Sequence, residues 1–208
     1  MPPSKPTKRR RRKSIARKEA INSQWVADNW SRDKLTTDRE RRIWNLQDEL
    51  EAPRGSSEEL QLRKIDEVIE SIYPYRGREA QLKVLRWLFF QQDDIMLVAK
   101  TSFGKSMIMQ VMPCLLRGSV VLIILPLNAI GAEQVARIEA LPGTQPVHVC
   151  RETISARMVA DIRRGVYTHI LLSPELLVGK KFHGVLTNPT FRDNVGLVVI
   201  DKVHVVSK

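Results

Sequence analysis

The segment Asp94-Ile95-Met96-Leu97-Val98-Ala99-Lys100-Thr101-Ser102-Phe103-Gly104-Lys105-Ser106 divides into three parts. Asp94 to Val98 is an apolar run of strand length. Ala99 to Gly104 is a short loop. From Lys105 onward, Met107, Ile108, Val111 and Met112 fall at helical spacing. A strand, a tight loop and a helix N-terminus present several backbone N–H groups in one direction. Those donors, together with the helix dipole, hold phosphate oxygens. The spacing predicts that Lys105 reaches the β- and γ-phosphates of a bound nucleoside triphosphate and that the Ser106 hydroxyl ligates Mg²⁺. The match to G-x-x-x-x-G-K-[ST] lacks its first glycine, since Ala99 stands there. Ser102 and Phe103 occupy positions often filled by glycine.

Outward from this loop, short apolar runs alternate with helical stretches. Helix is predicted over Arg78 to Gln91, Lys105 to Leu116, Ala129 to Leu141 and Ser155 to Arg164. Strands are predicted over Ile95 to Ala99, Val120 to Leu125, Val147 to Cys150, His169 to Ser173 and Leu197 to Ile200. The strands are almost wholly apolar, as strands buried on both faces are. The alternation predicts an α/β fold, a parallel sheet with helices on both sides in three layers.

Toward the N-terminus the composition changes. Of 208 residues, 34 are Lys or Arg and 23 are Asp or Glu, a formal net charge of +11. Residues 1–18 hold nine of the basic residues and no acid, which leaves only +2 for the remainder. The tail is predicted to be disordered, because such a block repels itself and buries no core. Its function class is a nuclear-import signal or a nucleic-acid-binding arm. Residues 19–72 read as a helical extension, with helix from about Asp38 to Leu50, a break at Pro53-Arg54-Gly55-Ser56-Ser57, and a second helix opened by Ser57. Trp25, Trp30 and Trp44 in this region are expected to pack against a core or partner. Cys114 and Cys150 lack metal-ligand spacing, and His148, His169 and His183 have no visible link to a metal. The longest apolar stretch is too short to cross a bilayer, so no membrane association is expected and an intracellular, soluble chain is.

A nucleotide site of this type needs an acid at the end of another strand. Leu197-Val198-Val199-Ile200-Asp201 supplies it, and Asp201-Lys202-Val203-His204 follows at once. That tetrapeptide resembles the D-E-x-H motif II of superfamily 2 helicases, with lysine in place of glutamate. Tyr75-Arg76-Gly77-Arg78-Glu79-Ala80-Gln81 resembles the adenine-recognising motif upstream of the phosphate loop in RecQ-like DNA helicases. Leu125-Pro126-Leu127 resembles their motif Ia, Leu172-Ser173-Pro174-Glu175 their Pro-Glu motif, and His204-Val205-Val206-Ser207 the extension after motif II. The elements stand in the family's order over residues 73–208, which are identified as an N-terminal RecA-like, ATP-binding lobe.

The resemblance implies roles by position. Gln81 would read the adenine edge, Tyr75 would stack on the base, and Arg76 or Arg78 would support the site. Thr101, Ser102, Phe103, Gly104, Lys105 and Ser106 would cradle the phosphates of ATP, and Asp201 would share Mg²⁺ with Ser106. His204 would couple the nucleotide site to a second lobe. The motif Ia and Pro-Glu segments would face a nucleic-acid strand, DNA rather than RNA, mainly through phosphates. Two departures stand out. Lys202 carries a positive charge and no acceptor, so it cannot activate water as the family's glutamate does. The sequence also ends at Lys208, just after motif II, so the lobe is expected to be C-terminally incomplete, with an exposed sheet edge and reduced stability.

Overall fold

The computed structural model describes residues 37–51, 55–126 and 128–201. Four strands, β1 (Val120–Ile124), β2 (Pro146–Val149), β3 (His169–Leu172) and β4 (Val195–Ile200), form one sheet. Their order is β2-β3-β1-β4 and every pairing is parallel. The predicted α/β class is the observed one. The basic tail, Trp25, Trp30, Lys202 and His204 lie outside the described residues.

The all-apolar strands are explained by what covers them. On one face, Val121, Ile123 and Leu171 meet helices α1 (Asp38–Glu51), α2 (Glu58–Ile72), α3 (Glu79–Arg86) and α4 (Lys105–Leu115). Ile43, Ile65, Leu85 and Val111 are the buried positions that define this layer, which α5 (Asn128–Glu139) joins through Ile138. On the other face, Val120, Leu122, Ile170 and Leu172 meet α6 (Ala156–Arg163), α7 (Pro174–Leu177), α8 (Lys180–Leu186) and α9 (Pro189–Asn194). Phe182, Val185 and Phe191 fill that second core. Each such side chain contributes about 1.5–3 kcal/mol by leaving water. The result is three layers, helix–sheet–helix.

Local chemistry sets the element ends. Ser57 opens α2 as predicted, its hydroxyl accepting from the Leu60 N–H, and Ser155 opens α6 by the same bond to Met158. α3 continues into a π turn, Trp87–Gln91, which stops at Gln92 in the left-handed region. Helices α7 to α9 lie in a stretch for which no element was predicted. Pro113 sits inside α4. It has no N–H to give the Met109 carbonyl. The fully buried ring of His169 faces the carbonyls of Met109 and Gln110, so a histidine compensates for the proline. Desolvation, the larger influence, pushes the His169 pKa down to about 4.

One prediction fails. Asp94–Val98 is extended but joins no ladder, and among the described residues its backbone has no hydrogen-bonded neighbour. Ile95 and Leu97 pack on the first core, whereas Met96 is 85% and Val98 88% exposed. The two-residue alternation of a strand is therefore present without the partner that would make it one. β4 is likewise an edge. Its register against β1 jumps from Val120↔Val195 to Val121↔Leu197, leaving Gly196 as the extra residue of a bulge. A Cβ on Gly196 would lie 2.7 Å from Cβ of Ser119. Beyond the bulge Leu197 and Val199 face the first core, and Val198 and Ile200 stand half exposed. Among the described residues, a run composed for burial on both faces is open along one side.

Candidate nucleotide-binding site

α4 returns directly to β1, so helix and strand run in opposite directions. The N-terminus of α4 therefore lies at the C-terminal edge of the sheet, where open α/β sheets take their ligands. Lys105 and Ser106 form its first turn. Asp201 follows β4 at the same edge, its N–H donating to the Ile124 carbonyl at 3.0 Å. Leu125-Pro126 follow β1, and Ser173-Pro174-Glu175 follow β3, so these segments share the edge too.

The loop itself explains its departures from the glycine-rich pattern. Thr101–Phe103 is a 3-10 turn, closed by Phe103 N–H donating to the Lys100 carbonyl at 3.0 Å. Gly104 ends it at φ 84°, ψ 36°. In the segment from Ala99 to Ser106 no other residue has a positive φ. Side chains at Ala99, Ser102 and Phe103 thus carry no backbone strain, and only Gly104 must be glycine. Lys105 Nζ donates to the carbonyls of Ala99 at 2.7 Å and Lys100 at 3.0 Å. The ammonium thereby bridges the two limbs of the loop. The hydroxyl of Ser106 has no partner among the described residues.

The N-terminus of α3 grips the loop from outside. Arg78 Nη1 donates to the Ser102 carbonyl at 2.9 Å. Gln81, only 5% exposed, donates through Nε2 to the Phe103 carbonyl at 2.6 Å and accepts at Oε1 from the Arg78 N–H at 2.9 Å. Spacing alone left Arg76 and Arg78 as alternatives. Arg78 touches the loop, and Arg76 pairs with Glu70 instead. Tyr75 is 52% exposed and stacks on Tyr73, ring centroids 5.1 Å apart. The Tyr73 hydroxyl donates to Gln110 Oε1, and burial raises its pKa well above the ordinary phenol value.

Beside the loop, α3 and residues 97–103 enclose an open groove of about 530 Å³. Arg78, Lys83 and Lys100 give it positive charge, and Trp87, Leu97 and Phe103 give it flat apolar walls. Lys83, Trp87 and Lys100 were not among the residues singled out by motif. The signal was available: Lys83 and Trp87 stand four apart on one face of a short helix. Among the described residues no three His, Cys, Asp or Glu side chains gather as a metal site. Mg²⁺ needs none, because it is typically held by one or two protein oxygens together with phosphates and water. Ser106 and Asp201 supply such oxygens at one edge. The side chain of Thr101, like Lys202 and His204, lies outside the described residues. No helix among those described is long and apolar enough to cross a membrane.

Residues 78–208, more than half of the chain, match the family model of the DEAD/DEAH box helicase. No curated protein matches the chain.

Proposed function

The chain belongs to the DEAD/DEAH box helicase family, and from that premise we propose that it is the ATP-binding motor lobe of a RecQ-like, 3′ to 5′ DNA helicase in which hydrolysis is impaired. The observation that carries the nucleotide part is the shared edge: Lys105 and Ser106 at the start of α4, beside Asp201 after β4. Lys105 and the N–H groups of the loop would hold the triphosphate, and Ser106 with Asp201 would hold Mg²⁺. When bound, Mg²⁺ neutralises charge on the phosphates. The RecQ-like assignment is supported by Gln81 and its neighbours ahead of the loop and by the Pro-Glu segment. The segments after β1 and β3 would lie along the phosphates of a DNA strand, which suits binding without sequence preference.

Impaired hydrolysis rests on Lys202. An ammonium beside the γ-phosphate offers no acceptor to the attacking water, so turnover should be slow while binding persists. Titration with Mg-ATP, followed by turnover with and without single-stranded DNA, tests both parts. Binding that Lys105→Ala abolishes is expected, with weak turnover that rises at least about ten-fold on Lys202→Glu. Normal turnover in the unaltered chain would refute the Lys202 reading, and no Mg-ATP binding at all would refute the motor-lobe reading. RNA in place of DNA, and duplexes with 3′ or 5′ tails, test the substrate and polarity.

A second reading is favoured by the tail. Nine basic residues and no acid in positions 1–18 suit a nucleic-acid-binding arm, with nuclear import as the companion role. In that case the chain is a non-catalytic binder. DNA binding that weakens steeply with salt, is lost on removing residues 1–18 and ignores ATP would select this reading.

A further inference from the structure

A hollow lies under α1 at the N-terminal edge of the sheet, opposite the phosphate loop. Pro142 and Thr168, just ahead of β2 and β3, line it from below. α1 contributes Glu40, Ile43 and Trp44, and α4 contributes Pro113. Its empty space is about 440 Å³ with the open mouth included, room for one large side chain. The polar groups around it are engaged with one another. The Arg117 guanidinium donates to the Trp44 carbonyl and to Gln47 Oε1 and pairs with Asp48. The Ser119 hydroxyl donates to the Leu116 carbonyl, and Thr168 Oγ1 accepts from the Gln145 N–H. What the hollow offers is therefore mainly apolar: the rings of Pro113, Pro142 and Trp44, with the Glu40 carboxylate as an acceptor. Flat apolar walls beside an acceptor suit an indole, whose ring is apolar and whose N–H needs a partner when buried.

The chain supplies an indole close by. The Thr37 N–H donates to Glu40 Oε2 at 2.9 Å, and the Glu40 N–H donates to Thr37 Oγ1 at 3.1 Å. This reciprocal cap fixes the start of α1 and turns the chain ahead of it off the helix axis. Glu40, at the hollow, is one turn away. Trp30 stands seven residues ahead of Thr37, a span of at most about 25 Å. We propose that Trp30 seats in the hollow between α1 and the N-terminal edge of the sheet, anchoring there the segment that leads from the basic tail. Trp25 stands five residues further out and would close a longer loop at greater entropic cost. The anchor gives the basic block at residues 8–13 a fixed root on the lobe. A nucleic acid held by that block then stays at high effective concentration beside the sheet. Seating requires no bound nucleotide.

The full chain grown with 5-fluorotryptophan carries four fluorine labels, at Trp25, Trp30, Trp44 and Trp87. Trp30→Phe and Trp25→Phe identify their signals. A soluble paramagnetic agent should leave the Trp30 signal largely intact and erase that of Trp25 as fully as in urea. Pro142→Arg lays a long side chain across the hollow from a partly buried loop position outside the sheet. It should expose the Trp30 label while the melting temperature stays near that of the parent. In hydrogen exchange, Trp30→Ala should quicken the amides of residues 38–44, the first two turns of α1, and Trp25→Ala should leave them unchanged. A parent Trp30 label as accessible as in urea would overturn the proposal. Protection that survives Pro142→Arg in the folded chain would overturn it too, because Trp30 would then be buried elsewhere. Protection that fades on dilution would put the indole of a second copy in the hollow, again against the proposal. Unchanged exchange of residues 38–44 in Trp30→Ala would overturn it even if the loop variant failed to fold.

Discussion

Gly104 carries a double constraint. Its φ of 84° disfavours any L side chain, and the space where a Cβ would go is taken by the Gln81 amide. Gly104→Ala should therefore cost about 1–2 kcal/mol in urea unfolding, from the left-handed backbone alone. Mg-ATP affinity should fall at the same time, since Gln81 must move. His169 is the second residue with a distinct signature. Its folded pKa of about 4 lies below the ordinary 6.5, so the unfolded chain takes up a proton first as pH falls. Stability from this group is whole above pH 6.5 and is lost as pH drops toward 4. The loss from pH 6.5 to about 5 should be about 2 kcal/mol. His169→Gln should flatten that slope in thermal melts recorded across the range. Neither residue's environment is visible by motif: a lone histidine in an apolar strand gives no sign that a proline on α4 has left a carbonyl for it.

At the scale of elements, one arginine adds a polar attachment of α1 to the buried contacts of Ile43, Leu46 and Leu50. The Arg117 guanidinium lies 3.6 Å over the Trp44 ring, donates to the Trp44 carbonyl at 2.6 Å and to Gln47 Oε1 at 3.1 Å, and pairs with Asp48 at 2.8 Å. Gln47 in turn donates to the Pro113 carbonyl at 3.0 Å. Arg117→Ala should cost about 2 kcal/mol, since the stacked and hydrogen-bonded side chain is mostly shielded from water. Amide exchange in α1 should speed more than in α4. The elements themselves were largely legible. Periodicity placed α1, α2, α4, α5, α6 and all four paired strands to within a residue or two, because each has one or two faces that must be apolar. It found nothing between β3 and β4, where three short helices begin at Pro174, Lys180 and Pro189 and carry only a few apolar residues each. It also made a strand of Asp94–Val98, because composition reports a segment's fitness for burial and says nothing about whether a neighbour is there. In the site, the Gly-Lys-Ser core and Asp201 were legible as chemistry. The grip of Arg78 and Gln81 on carbonyls was not, since it depends on where α3 docks.

For the whole molecule, the side of β4 left open among the described residues bears on behaviour in concentrated solution. Val195–Ile200 contains no charge and no proline, the devices that usually protect an edge strand. The chain should self-associate with rising concentration in sedimentation or light scattering. Val198→Lys, on the exposed face, should suppress this while shifting unfolding by less than about 0.5 kcal/mol. The unpaired run ahead of the phosphate loop has a different consequence, and it concerns time. Among the described residues, Ile95 and Leu97 tether that run by packing, with no ladder behind them. Its amides should exchange with solvent far faster than those of β1 and β3, although all belong to one fold. The loop's upstream anchor can then open and reclose many times within the lifetime of the folded sheet. A triphosphate arriving at α4 would meet a population of loop shapes, and its observed affinity would be its affinity for the formed loop multiplied by the fraction of time that loop exists.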